Sequence, residues 1–265
     1  MNYSIVDAFT NKPFAGNPAA VVPLAHSLPD ATLQAIAQEF NLAETAYVQR
    51  LPDGRFELRW FTPVREVPLC GHATLAAAHA LWESGAANGG QPIRFVTRFS
   101  GELICVRNAD GWISMDFPST PPRPAPLPAD AASVLGVPGP VSCVGAVEMN
   151  LTLRLPDAAQ VRACKPDLAT LATWHPIGVT VSAPGDEVGI DFVSRFFAPR
   201  AGIPEDPVTG SAHCSLAPYW AAQSGRKRFN ARQLSVRGGE LRIELSGDRV
   251  HLMGQAVTTM RGELM

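Results

Sequence analysis

Apolar and polar positions along this chain alternate with period two in many short stretches and with period near 3.6 in only a few. Period two sends successive side chains to opposite faces of a strand. Period 3.6 gathers i, i+3, i+4 and i+7 on one face of a helix. In the first half the alternation predicts strands over Tyr3–Phe9, Ala19–Leu24, Thr45–Arg50, Arg55–Phe61, Ile93–Thr97, Leu103–Arg107 and Trp112–Phe117. A helix is predicted after Ser27-x-x-Asp30, read as a capping box. Leu33, Ile36, Ala37 and Phe40 are its apolar face and Asn41 its left-handed stop. The alanine-rich run His72–Glu83, ahead of Gly85, predicts a second helix. The second half keeps the same rhythm. Strands are predicted over Val141–Val144, Leu151–Leu155, Ile177–Ser182, Val188–Phe196, Gln233–Arg237, Leu241–Leu245, Val250–Met253 and Ala256–Arg261, with a helix over Ser211–Ser224 closed by Gly225.

Two stretches are versions of one unit. Leu58-Arg59-Trp60-Phe61-Thr62-Pro63 leads through a short loop to Cys70-Gly71-His72-Ala73, and Ser194-Arg195-Phe196-Phe197-Ala198-Pro199 leads to Thr209-Gly210-Ser211-Ala212. Each is a strand, a Phe-x-Pro break, a loop and a small-residue turn that enters a helix. The second loop is longer by three, with Phe61 to Gly71 ten positions and Phe197 to Gly210 thirteen. Between the halves, Pro118–Pro128 holds six prolines in eleven residues, a composition that excludes helix and central strand and predicts a stiff connector.

Composition narrows the function classes. Of 265 residues, 46% are hydrophobic and 17% charged, which fits folded domains rather than long disorder. Lys plus Arg number 22 and Asp plus Glu 24, a net charge of −2, without the basic excess of a nucleic-acid binder or a polybasic membrane-surface protein. No apolar run reaches the roughly 18 residues of a membrane span. The start Met1-Asn2-Tyr3-Ser4-Ile5-Val6-Asp7 lacks the pattern of a signal peptide, so a cytoplasmic protein is expected. Cys70, Cys105, Cys143, Cys164 and Cys214 are odd in number, widely spaced and without C-x-x-C, so reduced thiols are expected.

The two glycine turns carry the candidate chemistry. A helix start presents unsatisfied N–H groups and a partial positive charge, which suit a carboxylate or phosphate. Neither turn has the G-x-x-x-x-G-K-[ST] or G-x-G-x-x-G pattern, so a nucleotide is disfavoured. A small anion held in a cleft by one helix start from each half, or two ordinary helix caps on a duplicated fold, both satisfy the spacing.

Four motifs add a family resemblance. They are Asp7-Ala8-Phe9-Thr10 with Phe14-x-Gly16-Asn17-Pro18-Ala19-Ala20-Val21, then Asn41-Leu42-Ala43-Glu44-Thr45-Ala46-Tyr47-Val48, then Cys70-Gly71-His72-Ala73-Thr74-Leu75-Ala76, and Glu205-Asp206-Pro207-Val208-Thr209-Gly210-Ser211-Ala212. In this order they resemble the PhzF-like isomerases of phenazine biosynthesis, across essentially the whole chain. The resemblance implies an α/β fold of the diaminopimelate epimerase type. Two pseudo-symmetric lobes would each wrap a curved, mostly antiparallel sheet around a central helix, with the active site between them. The lobes would be 1–117, joined by the last strand at about 255–265, and 118–254, with 118–128 as connector. It implies Glu44 as catalytic acid/base, with His72 and Asp206 touching substrate and assisting proton transfer. Asn17, Gly71, Ala73, Gly210, Ser211 and Ala212 would bind a small anionic substrate. It further implies a homodimer without metal or organic cofactor. The family's named substrate is a dihydro-hydroxyanthranilate, and nothing in the chain requires it over another amino or hydroxy acid.

The residues bear on these roles. Glu44 alternates with Leu42, Ala46 and Val48, which puts it on an apolar face where lost solvation raises a carboxyl pKa toward the range a proton shuttle needs. Three rival readings stand beside the isomerase. A two-thiol racemase fits Cys70, but the second turn has no matching cysteine and Cys214 falls inside the helix. A zinc site from Cys70, His72, His213 and Cys214 has weak ligand spacing. A non-catalytic anion binder would keep the cleft without hydrogen exchange.

Overall fold

The computed structural model describes every residue except Met149. The chain begins with β1 (Asn2–Ala8) and β2 (Asn17–Leu24), followed by α1 (Asp30–Phe40), β3 (Glu44–Arg50), β4 (Phe56–Phe61), β5 (Glu66–Val67), α2 (Gly71–Glu83), β6 (Ile93–Thr97), β7 (Glu102–Arg107) and β8 (Ile113–Pro118). It continues with α3 (Ala131–Leu135), β9 (Ser142–Val147), β10 (Asn150–Arg154), α4 (Ala158–Ala163), α5 (Leu168–Leu171), β11 (Gly178–Pro184), β12 (Phe192–Ala198), β13 (Ile203–Asp206), α6 (Gly210–Ser224), β14 (Arg228–Gln233) and β15 (Gly239–Ser246). It closes with β16 (Arg249–Gly254) and β17 (Ala256–Glu263). Residues 1–117 and 251–265 form one unit and 118–250 another. Among the described residues no helix is long and apolar enough to cross a membrane.

In the first unit the strands pair in the order β17–β1–β2–β3–β4–β6–β7–β8. In the second the order is β9–β10–β11–β12–β14–β15. The sheets are mixed, because β2/β3 and β4/β6 run parallel, as do β10/β11 and β12/β14. One fork appears twice. The far edge of β4 is shared by β5 and β6, and that of β12 by β13 and β14.

The repeated sequence explains the fork. Arg59 grips Glu66 with two hydrogen bonds of 2.8 Å and lies over Phe61, 5.1 Å from the ring centre. Arg195 grips Glu205 at 2.7 and 3.0 Å and lies over Phe197 at 4.9 Å. Each clamp ties the strand to the short return strand just before the glycine turn. Bidentate Arg–carboxylate geometry fixes both partners in direction as well as distance.

The alanine run of α2 has a packing cause. Ten of its thirteen residues are buried, from His72 through Trp82, so the helix is apolar nearly all round and small side chains let it lie close to β1, β2 and β3. The expected stops hold. Asn41 closes α1 with φ 49° and Gly225 closes α6 with φ 71°.

Three local expectations fail. The strand expected over Val188–Phe196 begins only at Phe192 and runs to Ala198, because Val188 points into solvent. Ser27 does not cap α1. Pro29 stands at the cap position and the Ser27 hydroxyl donates instead to Gln49 at 2.9 Å. The strand expected over Gln233–Arg237 lies earlier, at Arg228–Gln233, because Phe229, Ala231 and Gln233 are its inward face. The chain then turns through Gly238, which has φ 63°. The short elements β5, β13, α3, α4 and α5 were not foreseen. Segments of two to six residues show too little period to read.

Candidate active site

In the first unit the site residues converge on one ring. Parallel pairing sets Ala19 beside Glu44, so the start of β2 and the start of β3 share one end of the sheet, on the side covered by α2. His72, in the first turn of α2, is 5% exposed. Its Nε2 lies 3.2 Å from Glu44 Oε2, and the Glu44 side chain is 13% exposed. The approach is close in distance but poor in angle, since Nε2 has no well-directed hydrogen bond. On the other side of the ring, Nδ1 lies 3.2 Å from Asn17 Nδ2 and 3.4 Å from Cys70 Sγ. Burial drives the His72 pKa down from 6.5 to about 3, so the ring is neutral at ordinary pH.

Asn17, expected on the substrate, is 0% exposed and spends its amide on His72. Gly71 is half-buried and Ala73 is buried, both in the opening turn of α2.

In the second unit, Asp206 ends β13 and its carboxylate accepts a short hydrogen bond from the Thr209 hydroxyl. Gln233, fully buried at the end of β14, ties the turn together. Its Oε1 accepts from Thr209 N at 2.9 Å, and its Nε2 donates to the Asp206 carbonyl at 2.7 Å and the Thr209 hydroxyl at 3.2 Å. Sequence reasoning missed Gln233. The signal was the alternation Phe229, Ala231, Gln233, which ends on an inward polar residue. Gly210 and Ala212 are buried in the first turn of α6, while Ser211 is exposed beside them.

Both helix starts lack a side-chain cap because the capping side chains are engaged elsewhere. The Cys70 thiol faces the imidazole and the Thr209 hydroxyl bonds Asp206. Asp157 and Asp167, by contrast, do cap α4 and α5. An uncapped start alone defines no site, since α1 and α3 also begin that way.

The metal reading meets two obstacles. Glu44, Cys70 and His72 offer ligand atoms within 4.8 Å of one another. The ring, however, turns Nε2 to Glu44 and Nδ1 to Cys70, and one ion can take only one of the two nitrogens. His213 spends both nitrogens inside its own unit, with Nδ1 2.8 Å from the Thr209 carbonyl and Nε2 3.3 Å from Ser194. A two-thiol arrangement finds Thr209 at the N-cap position that Cys70 fills in α2.

Comparison with known proteins agrees with this architecture. The sequence profile of the family described as phenazine biosynthesis-like protein, PhzC-PhzF, matches residues 6–262. An uncharacterized isomerase of Pseudomonas aeruginosa is 46% identical over 264 residues, covering 100% of this chain and 98% of that protein. The crystal structure of a PhzF-family phenazine biosynthesis protein from Enterococcus faecalis superposes with a TM-score of 0.91 at 38% identity, over 100% of this chain and 98% of that one. A hydroxyproline epimerase from Agrobacterium vitis shares the fold, at TM-score 0.59 and 11% identity over 99% of this chain and 91% of that one.

Proposed function

We propose that this chain, which belongs to the phenazine biosynthesis-like PhzC-PhzF family, is an isomerase that moves a proton between two carbons of a small carboxylate-bearing molecule without a cofactor. The observation that carries the reading is the Glu44 carboxylate, 13% exposed, 3.2 Å from the buried neutral His72 at the uncapped start of α2.

Glu44 acts as the base that takes a C–H proton. The electron pair left on carbon spreads into the unsaturated system of the substrate, and the first-turn amides of α2 stabilise that charge. Glu44, now protonated, returns the proton to a different carbon. The carboxylate is restored and no electrons leave the substrate, so no oxidant or hydride carrier is consumed. His72 does not shuttle the proton as an imidazolium, because its pKa near 3 leaves it without a second proton at neutral pH. The named reaction this most resembles is the isomerisation of trans-2,3-dihydro-3-hydroxyanthranilate.

The test is deuterium uptake from D2O into that compound and a panel of small unsaturated amino and hydroxy acids, read by mass spectrometry. E44Q is expected to lose about 10²–10⁴-fold in exchange and turnover while keeping its melting temperature. D206N, run beside it, asks whether the polar start of α6 serves the same reaction. Exchange by E44Q at the wild-type rate removes Glu44 from the chemistry.

A further inference from the structure

The Nδ1 side of the His72 ring is built with more care than a contact to solvent or substrate needs. Asn17 is the first residue of β2 and has no exposed surface. The turn that delivers it is held by a buried carboxylate, Asp7, which accepts from Phe14 N at 2.7 Å. Directly before Asn17 stands Gly16, at φ 64°, where a Cβ would fall 2.1 Å from the Ala8 carbonyl oxygen. A buried side-chain amide is costly unless it is hydrogen-bonded, and this one is aimed at an imidazole nitrogen.

The chemistry of that nitrogen follows from its neighbour. The NH2 of an Asn side chain donates and does not accept, so the Nδ1 facing Asn17 Nδ2 at 3.2 Å is the bare nitrogen. A neutral ring then carries its single proton on Nε2, the nitrogen 3.2 Å from Glu44 Oε2. With the proton there, the N–H lies beside the carboxylate, within electrostatic reach though not aligned for a hydrogen bond. With the opposite tautomer the ring would present a lone pair, and Glu44 would face it comfortably only when protonated, which is the wrong state for a base.

We infer that Asn17 is a positioning residue that locks His72 in the Nε2–H tautomer and so holds Glu44 ready as a carboxylate. The inference rests on the reading of Glu44 as acid/base and deepens it. Cys70 Sγ lies 3.4 Å from the same Nδ1 and is the competing candidate for the tautomer-setting group.

The experiment is long-range proton–nitrogen NMR of the full chain labelled with 15N-histidine, with the His72 signals identified by their loss in H72Q. In the wild type at neutral pH the ring is expected neutral, with Nε2 protonated and Nδ1 bare. C70A and E44Q are expected to keep that pattern. N17D replaces the donor by an acceptor of nearly the same shape, so the proton is expected to move to Nδ1, with kcat falling about 10²-fold. A wild-type ring protonated on Nδ1, or an N17D ring unchanged from wild type, overturns the inference, as does a C70A ring that has switched. Failure of the Glu44 reading looks different, since it shows as retained turnover in E44Q whatever the ring spectrum reports.

Discussion

Two buried imidazoles, one in each unit, set how the fold answers acid. Burial holds His72 at about 3 and His213 at about 4, against 6.5 for a free ring. Between those values and 6.5 the unfolded chain binds a proton at each ring and the native chain does not. A depressed histidine pKa therefore contributes stability that is complete above pH 6.5 and is lost as pH falls toward the native value. Each ring supplies a slope of roughly 1.4 kcal/mol per pH unit between about pH 4.5 and 6. That window lies above the unfolded carboxylate values of about 4, so acid groups add little within it. H72Q removes one of the slopes. The gap in unfolding free energy between wild type and H72Q is expected to change by about 2 kcal/mol across the window, the wild type losing more toward acid. His79, also lowered by burial, is present in both proteins and cancels. The assay is urea unfolding followed by tryptophan fluorescence at several pH values. Trp60, Trp82 and Trp112 report on the first unit, Trp174 and Trp220 on the second. Parallel stability curves for wild type and H72Q would refute the argument, because they would mean that the native ring titrates as a free one does.

Other perturbations test the scaffold. G16A places a methyl 2.1 Å from the Ala8 carbonyl oxygen and 2.7 Å from Thr10 Cγ2 at a left-handed φ. It is expected to cost about 2–4 kcal/mol, and an unchanged melting temperature would show that the turn relaxes freely. R195M leaves Glu205 without its bidentate partner and removes donors to the Cys164 and Val161 carbonyls, at 2.6 and 3.2 Å. Its expected cost is about 3–5 kcal/mol by urea unfolding, with R195M/E205M recovering much of it, and equal losses in the two variants would contradict that.

What the sequence made legible was what period and punctuation encode. Alternation located strands such as Ile93–Thr97 to the residue, and Asn41 and Gly225 marked helix ends because left-handed stops favour few residue types. The duplicated strand, Phe-x-Pro break and glycine turn marked the two helix starts but not the forks ahead of them. Register was not legible. That Glu44 lies beside Ala19, and so near Asn17, depends on parallel pairing of two strands separated by a helix, a choice made by packing on both faces. The same holds for Gln233, whose partners on the Asp206–Thr209 turn are set by the parallel pairing of Ser194 with Gln233. Asn17 was legible as a motif residue and illegible in role, because nothing local to its sequence says that its amide is fully enclosed.

The duplication also bears on how many groups carry the proton. Where the halves match, folding explains the match. The Arg–Glu clamps, the Phe beneath each guanidinium and the glycine opening each helix do the same structural work twice. They differ where the acid stands. Thr45 pairs with Phe61 and Val179 with Phe197, so Glu44 and Gly178 hold matching places one residue earlier. At Gly178 a Cβ would fall 2.4 Å from Asn150 Oδ1 and from the Phe196 ring, so a side chain there requires those two side chains to move. The acid is therefore present in one half only, and the residue at the matching place in the other is a glycine packed against Asn150 and Phe196. A reaction that used two equivalent bases would keep an ionisable group in both places. One that takes and returns its proton through a single carboxylate, as proposed for Glu44, needs only the first.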